Sequence, residues 1–288
     1  MDIVVQIALN AVIAGAIYTL VAIGFNLIYS TARFFDLGYG ALTTVGGYSV
    51  FYFYKQLDLD IFTSITLGII LVGIIGILIE RFIYRTLRRR KASNVVLLIA
   101  SLGVLTVLQA FVAIIFTSQF QTLSKDIGGQ RIFDIFGGVI TETQSIILIT
   151  GILITLILGA VLKYTLFGKA VRAVSDDEEV ANIVGINSEK IMTIVFFIGA
   201  AIAGIAGIAV GFDTGIEPTM GMALLLKGVI AAIIGGLGRV HGAIIGAFFL
   251  AIIENLGAWQ FSGEWKDAIA FAVLILFLIF RPEGILKK

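Results

Sequence analysis

Runs of about twenty apolar residues recur along this chain from end to end, each long enough to cross the ~30 Å hydrocarbon core of a bilayer as a helix. They fall at about 4–29, 37–54, 61–80, 94–116, 143–162, 190–211, 220–236, 242–258 and 266–280. A soluble domain carries about 25% charged residues. Here 14% of the 288 residues are charged and 59% are hydrophobic, with a mean hydropathy of +1.07. A water-soluble shell cannot be built from this inventory. The expected fold is all-α, a polytopic transmembrane helical bundle forming one domain over residues 1–288. The 220–236 and 242–258 segments are short, either two thin crossings or one broken, partly re-entrant hairpin. That gives eight or nine spans. The first apolar run lacks a basic leader and a small-residue cleavage site, so it reads as a retained first helix.

Lys and Arg set the orientation. Arg81, Arg85, Arg88, Arg89, Arg90 and Lys91 place the 81–91 loop in the cytoplasm. Two crossings later the 163–190 loop, with Lys163, Lys169, Arg172 and Lys190, is also inside, as is the C-terminus with Arg281, Lys287 and Lys288. The 117–142 loop, with Lys125 and Arg131 against Asp126, Asp134 and Glu142, is outside. An outside N-terminus and a cytoplasmic C-terminus require an odd number of crossings, which favours nine.

Between two of the apolar runs lies a polar island, 168–189. Ser175 and Glu178 have the spacing of a capping box. Asp176 and Asp177 suit the positive end of a helix dipole. Gly185 suits a left-handed helix stop. The pattern predicts a short helix over 176–184, with Val180, Ile183 and Val184 on a greasy side. Helices that lie on a membrane surface carry Lys and Arg; this one carries Asp176, Asp177, Glu178 and Glu179 in a row. A protein partner is therefore expected to dock here.

Charges inside apolar runs are functional candidates. Lys227 lies ~7 residues, roughly 10 Å, from the outer end of its segment. Glu254 lies ~5 residues from the outer end of the next, antiparallel segment, so by the same rise the two are expected to meet or to share a water-filled cavity. They are either a structural pair or part of a substrate path. Asn10, Tyr18, Asn26, Asp36 and Asn255 complete the pathway candidates. Gly199, Ala203, Gly207 and Gly211 share one helix face, and Gly242 and Gly246 repeat the spacing. Ordinary close packing in lipid explains both, and an interface with a second permease is the alternative.

Several chemistries have no residues to work with. A net charge of +1 gives no field for nucleic acid, and without cysteine there is no disulfide framework or thiolate metal site. His241 is the single histidine. There is no G-x-x-x-x-G-K-[ST], because Gly168-Lys169 lacks the upstream glycine and the following hydroxyl. No H-E-x-x-H or G-x-S-x-G occurs, so no catalytic residue, metal site or bound cofactor is expected. Gly235-Gly236-Leu237-Gly238 is a turn signal, with an anion nest as its alternative reading.

Taken in order, these segments resemble the branched-chain amino acid ABC transporter permeases of LivH/LivM type. The resemblance rests on Asn10–Tyr29, on Gly168–Val174 continuing to Ala181 and Gly185–Asn187, on Gly199–Gly207, on Lys227–Gly238 with Gly242-Ala243, and on Phe280–Gly284. Asp36-Leu37-Gly38-Tyr39-Gly40 after the first helix is more like the LivM type, whereas the first helix and the length are LivH-like. The resemblance implies an importer permease in the inner (plasma) membrane, paired with a homologous second permease. It further implies two cytoplasmic ATPase subunits, which hold the ATP and magnesium, and an extracytoplasmic binding protein. The island would be the coupling element. Gly168 and Ser175 lie in it; Arg172, Asp176, Glu178 and Glu179 would make polar contacts to the ATPase, Ala181 would allow close approach, and Gly185 would end the helix. A zwitterionic ligand implies a path of helix ends or isolated polar groups rather than a strongly charged lining. The same superfamily includes urea or short-amide permeases and sugar permeases. A gradient-driven carrier or channel is a further alternative.

Overall fold

The structure, a computed structural model, describes residues 2–123, 131–281 and 284–285. Lys125, Asp126, Pro282, Glu283, Lys287 and Lys288 lie outside the described residues. Each apolar segment named above is helical. Helix α1 (Ile3–Ala32) is followed by α2 (Gly38–Val50), which runs on as a π-helical turn over Phe51–Gln56. Helix α3 (Ile61–Ile79) continues through a π-helical turn, Glu80–Tyr84, into α4 (Arg85–Arg89), and α5 covers Asn94–Phe116. A small antiparallel hairpin, β1 (Ile132–Ile135) and β2 (Gly138–Thr141), precedes α6 (Glu142–Tyr164). Then come α7 (Leu166–Asp176), α8 (Glu178–Ile183), α9 (Ser188–Asp213), α10 (Met220–Gly235), α11 (Val240–Gln260) and α12 (Lys266–Phe280). Six elements are long and apolar enough to cross a bilayer: α1, the continuous 61–89 helix, α5, α6, α9 and α11. Helices α2, α10 and α12 are shorter, at 13, 16 and 15 residues.

Helix α1 carries no charged side chain and is buried over most of its length from Ala11 to Ala32. A helix apolar on every side belongs in the middle of a bundle, and α6, α9, α10 and α11 surround it. The outer faces of α5, α6 and α12 expose large apolar side chains such as Ile114, Ile149, Leu156 and Ile279, as a lipid-facing surface must. The small-residue face of α9 is used within this chain. Gly199 packs on Ile28 and the backbone of Gly24, and Gly207 seats against the Thr43 carbonyl. The alternative assignment of that face, to a second permease, is thus corrected. Gly235 and Gly242 bring α10 and α11 into backbone contact. Between them Gly236 holds φ 107°, and the Gly238 N–H donates to Asn26 Oδ1 at 2.6 Å. The turn is pinned by α1, which explains its glycines without an anion nest.

The two ends of the bundle differ. At the hairpin end, the Asp2 N–H donates to the Gly137 carbonyl, and Gln144 Nε2 donates to Asp213 Oδ1 at 3.0 Å. At the island end, the arginine cluster does more than mark topology. Arg85 and Arg89 both bind Glu189 of α9. Arg88 pairs with Glu80 at 2.6 Å, and the fully buried Glu80 also accepts from the Thr193 hydroxyl at 3.0 Å. Arg81, Arg90 and Lys91 remain exposed.

Asp36, in the link between α1 and α2, lies apart from Tyr18, Lys227 and Glu254. It is buried at the island end, where its Oδ1 accepts from the Tyr84 hydroxyl at 2.6 Å. Burial raises its carboxyl to about 6, against the opposing hydrogen bonds from Tyr84, Gly38 and Tyr39. Because the folded pKa lies above the unfolded one, the folded state binds more protons between them, and this site loses stability as pH rises from about 4 to about 6. Asp36→Asn should flatten that part of a melting-temperature profile, whatever it does to the absolute value. An unaltered slope would remove Asp36 as its cause.

Candidate functional site

At the hairpin end a cavity of about 460 Å³ opens between α1, α6, α9, α10, α11 and α12. Its inner part is a four-residue polar cluster. Tyr18 donates its hydroxyl proton to Glu254 Oε2 at 2.6 Å. Lys227 Nζ lies 3.2 Å from the Tyr18 oxygen, 3.5 Å from Glu254 Oε2 and 3.1 Å from Asp267 Oδ1. Its ammonium also sits 5.4 Å from the centroid of the Tyr18 ring, within cation–π range. Glu254 is fully buried, and its Oε1 has no hydrogen-bond partner among the described residues. The meeting of Lys227 and Glu254 expected from their matched depth is therefore observed, and Tyr18 joins them.

Asp267 was missed. It stands in the first turn of α12, at the edge of the 266–280 run. Asn10 and Asn255 line the wall, each with a local bond: Asn10 Oδ1 accepts from Gln6 Nε2, and Asn255 Nδ2 donates to the Ala251 carbonyl. Asn26 is elsewhere, cross-bonded to Gly238 and to the Arg239 carbonyl at the island end. The cavity lining is strongly charged. Asp213, Glu217, Lys227, Lys266 and Asp267 all border the cavity. The reason is architectural: α9 ends, α10 begins and α12 begins at one mouth, so helix-end charges scattered in sequence converge there.

The polar island is two helices rather than one. Val171 and Val174 bury one face of α7 and carry its helix to Asp176, so the break falls at Asp177, in extended conformation. Asp177 Oδ1 accepts from the N–H groups of Glu179 and Val180 at 2.9 and 3.0 Å, making it the N-cap of α8. The expected helix over 176–184 and its Ser175–Glu178 capping box are corrected accordingly. Ser175 is inside α7, and its carbonyl accepts from Arg33. Gly168 packs against Leu162, with its N–H on Thr165 Oγ1, and lets α7 fold back on α6. Gly185 does stop the second helix. Its φ is 90°, the Ile186 N–H reaches the Ala181 carbonyl and the Gly185 N–H reaches Asn182, which together form a Schellman stop.

Ala181 is buried with Val174 and Met192, so it faces this chain and not a docked partner. Arg172 donates to the Leu162 carbonyl of α6. The outward face combines Asp176, Asp177, Glu178 and Glu179 with Val180, Ile183 and Val184, and Ile183 is 83% exposed. An acidic knob with bare apolar side chains has the surface of an unpartnered interface.

Residues 7–278 match the family model described as branched-chain amino acid transport system / permease component. The chain belongs to this family. It is 34% identical to the high-affinity branched-chain amino acid transport system permease protein LivH of Salmonella typhimurium (strain LT2), covering 97% of this chain and 94% of that protein. It is 32% identical to BraD, the corresponding permease protein of Pseudomonas aeruginosa, covering 98% and 95%. Among solved structures it resembles PsaBC from Streptococcus pneumoniae in complex with Fab. The TM-score is 0.54 with 14% identity, over 95% of this chain and 91% of that chain, a likeness of fold.

Proposed function

We propose that this permease is the membrane-spanning subunit of an ATP-driven importer carrying branched-chain amino acids into the cell. The observation that carries the coupling is the α7–α8 knob, exposed and acidic, on a chain with no phosphate-binding loop of its own. The full-length likeness to LivH and BraD supports the substrate class over the amide and sugar readings, and it supports the LivH type over LivM. In this reading the island end is cytoplasmic, the hairpin end and N-terminus are outside, and the chain crosses nine times. Two ATPase subunits holding ATP and magnesium take up the knob, a homologous permease completes the channel, and a binding protein delivers ligand to the hairpin end.

The cavity suits a zwitterion. Lys227 presents a cation toward an α-carboxylate, Asp213, Glu217 and Asp267 present carboxylates toward an α-ammonium, and Ile13, Ile17, Val210 and Leu224 give an aliphatic side chain an apolar wall. The buried Tyr18–Glu254 pair holds Lys227 at the cavity's inner end while leaving the ammonium able to exchange Asp267 for ligand.

Replacing Asp176, Glu178 and Glu179 together with lysine should abolish ATP-driven uptake, and the ATPase subunits should no longer copurify in gentle detergent. Unchanged uptake in that variant overturns the docking role of the knob.

A further inference from the structure

A second cavity, of about 250 Å³, lies at the island end between α1, α6, α7 and the start of α11, with Arg172 and Ser175 of the island on its wall. Three basic side chains from three different elements border it: Lys163 at the end of α6, Arg172 on α7 and His241 on α11. Ser30 and Ser175 add hydroxyl groups, and no carboxylate lines it among the described residues. None of the three basic side chains is ion-paired among the described residues, whereas Arg85, Arg88 and Arg89 of α4 all have acids. Both the outer cavity and the one beside Arg33 and Arg88 mix cations with carboxylates, so this pocket differs in its charge balance.

Its wall points to where the anion comes from. Helix α6 is a lipid-facing span, with Ile149, Leu153, Leu156 and Ile157 bare along it. That stripe leads to Gly159, where a side chain would meet nothing within 4 Å, and to Leu162 on the cavity wall. Lys163 Nζ lies 5.2 Å from the centroid of the exposed Tyr164 ring, an arrangement suited to the membrane–water boundary. The pocket is therefore basic and concave and lies at the end of a lipid-facing span, and basic pockets between spans at headgroup level hold anionic headgroups.

We infer that this cavity binds the phosphodiester headgroup of an anionic phospholipid, with its acyl chains lying along α6 past Gly159. The proposal is independent of the import reading, since it concerns lipid and not cargo. The test is native mass spectrometry of the assembled complex, exchanged with phosphatidylglycerol, phosphatidylcholine or inorganic phosphate. Phosphatidylglycerol should be retained in preference to phosphatidylcholine. Lys163→Gln should weaken that retention by about fivefold, the effect of one interfacial charge, and adding His241→Gln should weaken it further. Gly159→Leu, which keeps every charge and fills the lipid-side opening, should also reduce phosphatidylglycerol retention. Equal retention by all variants overturns the site. If inorganic phosphate displaces bound phosphatidylglycerol and Gly159→Leu is harmless, the site belongs to a soluble anion and the lipid assignment falls. It falls equally if Lys163→Gln sheds ATPase subunits with lipid unchanged, because the cations then serve a protein partner.

Discussion

Lys227→Met is expected to destabilise the permease by roughly 3–5 kcal/mol, because it leaves the Glu254 carboxylate buried without a counter-ion. The side chain of Glu254 is 0% exposed, its Oε1 lacks a partner among the described residues, and its Oε2 relies on the Tyr18 hydroxyl and the Lys227 ammonium. Removing the ammonium leaves one hydrogen bond to support a full charge in a medium of low polarity. The other partner of Lys227 matters much less, since the side chain of Asp267 is 66% exposed and solvent screens it. The double variant Lys227→Met/Glu254→Gln should regain most of the loss, because no uncompensated charge then remains. A four-member cycle of melting temperatures in detergent isolates the coupling. If Glu254→Gln fails to rescue Lys227→Met, the instability comes from lost packing and the buried-charge account is wrong. Uptake separates stability from transport: the double variant should fold yet import poorly, since the cation proposed to meet the ligand carboxylate is gone.

That cluster also shows how far the sequence could be read. Lys227 and Glu254 were found because each interrupts an apolar run, and helical rise converts sequence position into depth. Tyr18 was visible as a polar residue in the first span, but nothing in a linear pattern says which way a single hydroxyl turns. Asp267 escaped because an acid at the edge of an apolar run reads as a boundary, and only the tertiary arrangement brings the start of α12 beside the middle of α10. At the island the local signals conflicted. Ser175-x-x-Glu178 matches a capping box, yet the buried face formed by Val171 and Val174 carries α7 past Ser175 and hands the cap to Asp177. Packing decided against the motif. The side of α8 that Ala181 occupies was likewise set by α7 and α9, which a short window cannot see. The ion pairs from Arg85 and Arg89 to Glu189 join residues about a hundred positions apart, beyond any periodicity.

Close approach between α2 and α9 supplies the other large effect. Gly207→Ala should destabilise the bundle by about 1–3 kcal/mol, even though alanine is the better helix former by about 1 kcal/mol. A Cβ at Gly207 would lie well inside contact distance of the Thr43 carbonyl oxygen, which is backbone and has no rotamer to give way. The two helices must separate instead. Gly46 meets the backbone of Gly204 one turn away, so the strain is shared along the seam and cannot be relieved at one residue. Because α9 ends in Asp213 and its last turns contribute Val210 to the outer cavity, a displaced α9 should also alter uptake. Gly103→Ala is the matched control. It sits in the span α5 with nothing within 4 Å of a new Cβ, and should be neutral or slightly stabilising. Melting temperatures of the two variants decide the matter: equal losses would mean that glycine acts through the helix backbone itself, and only a loss confined to Gly207 fits a seam closed by direct backbone contact.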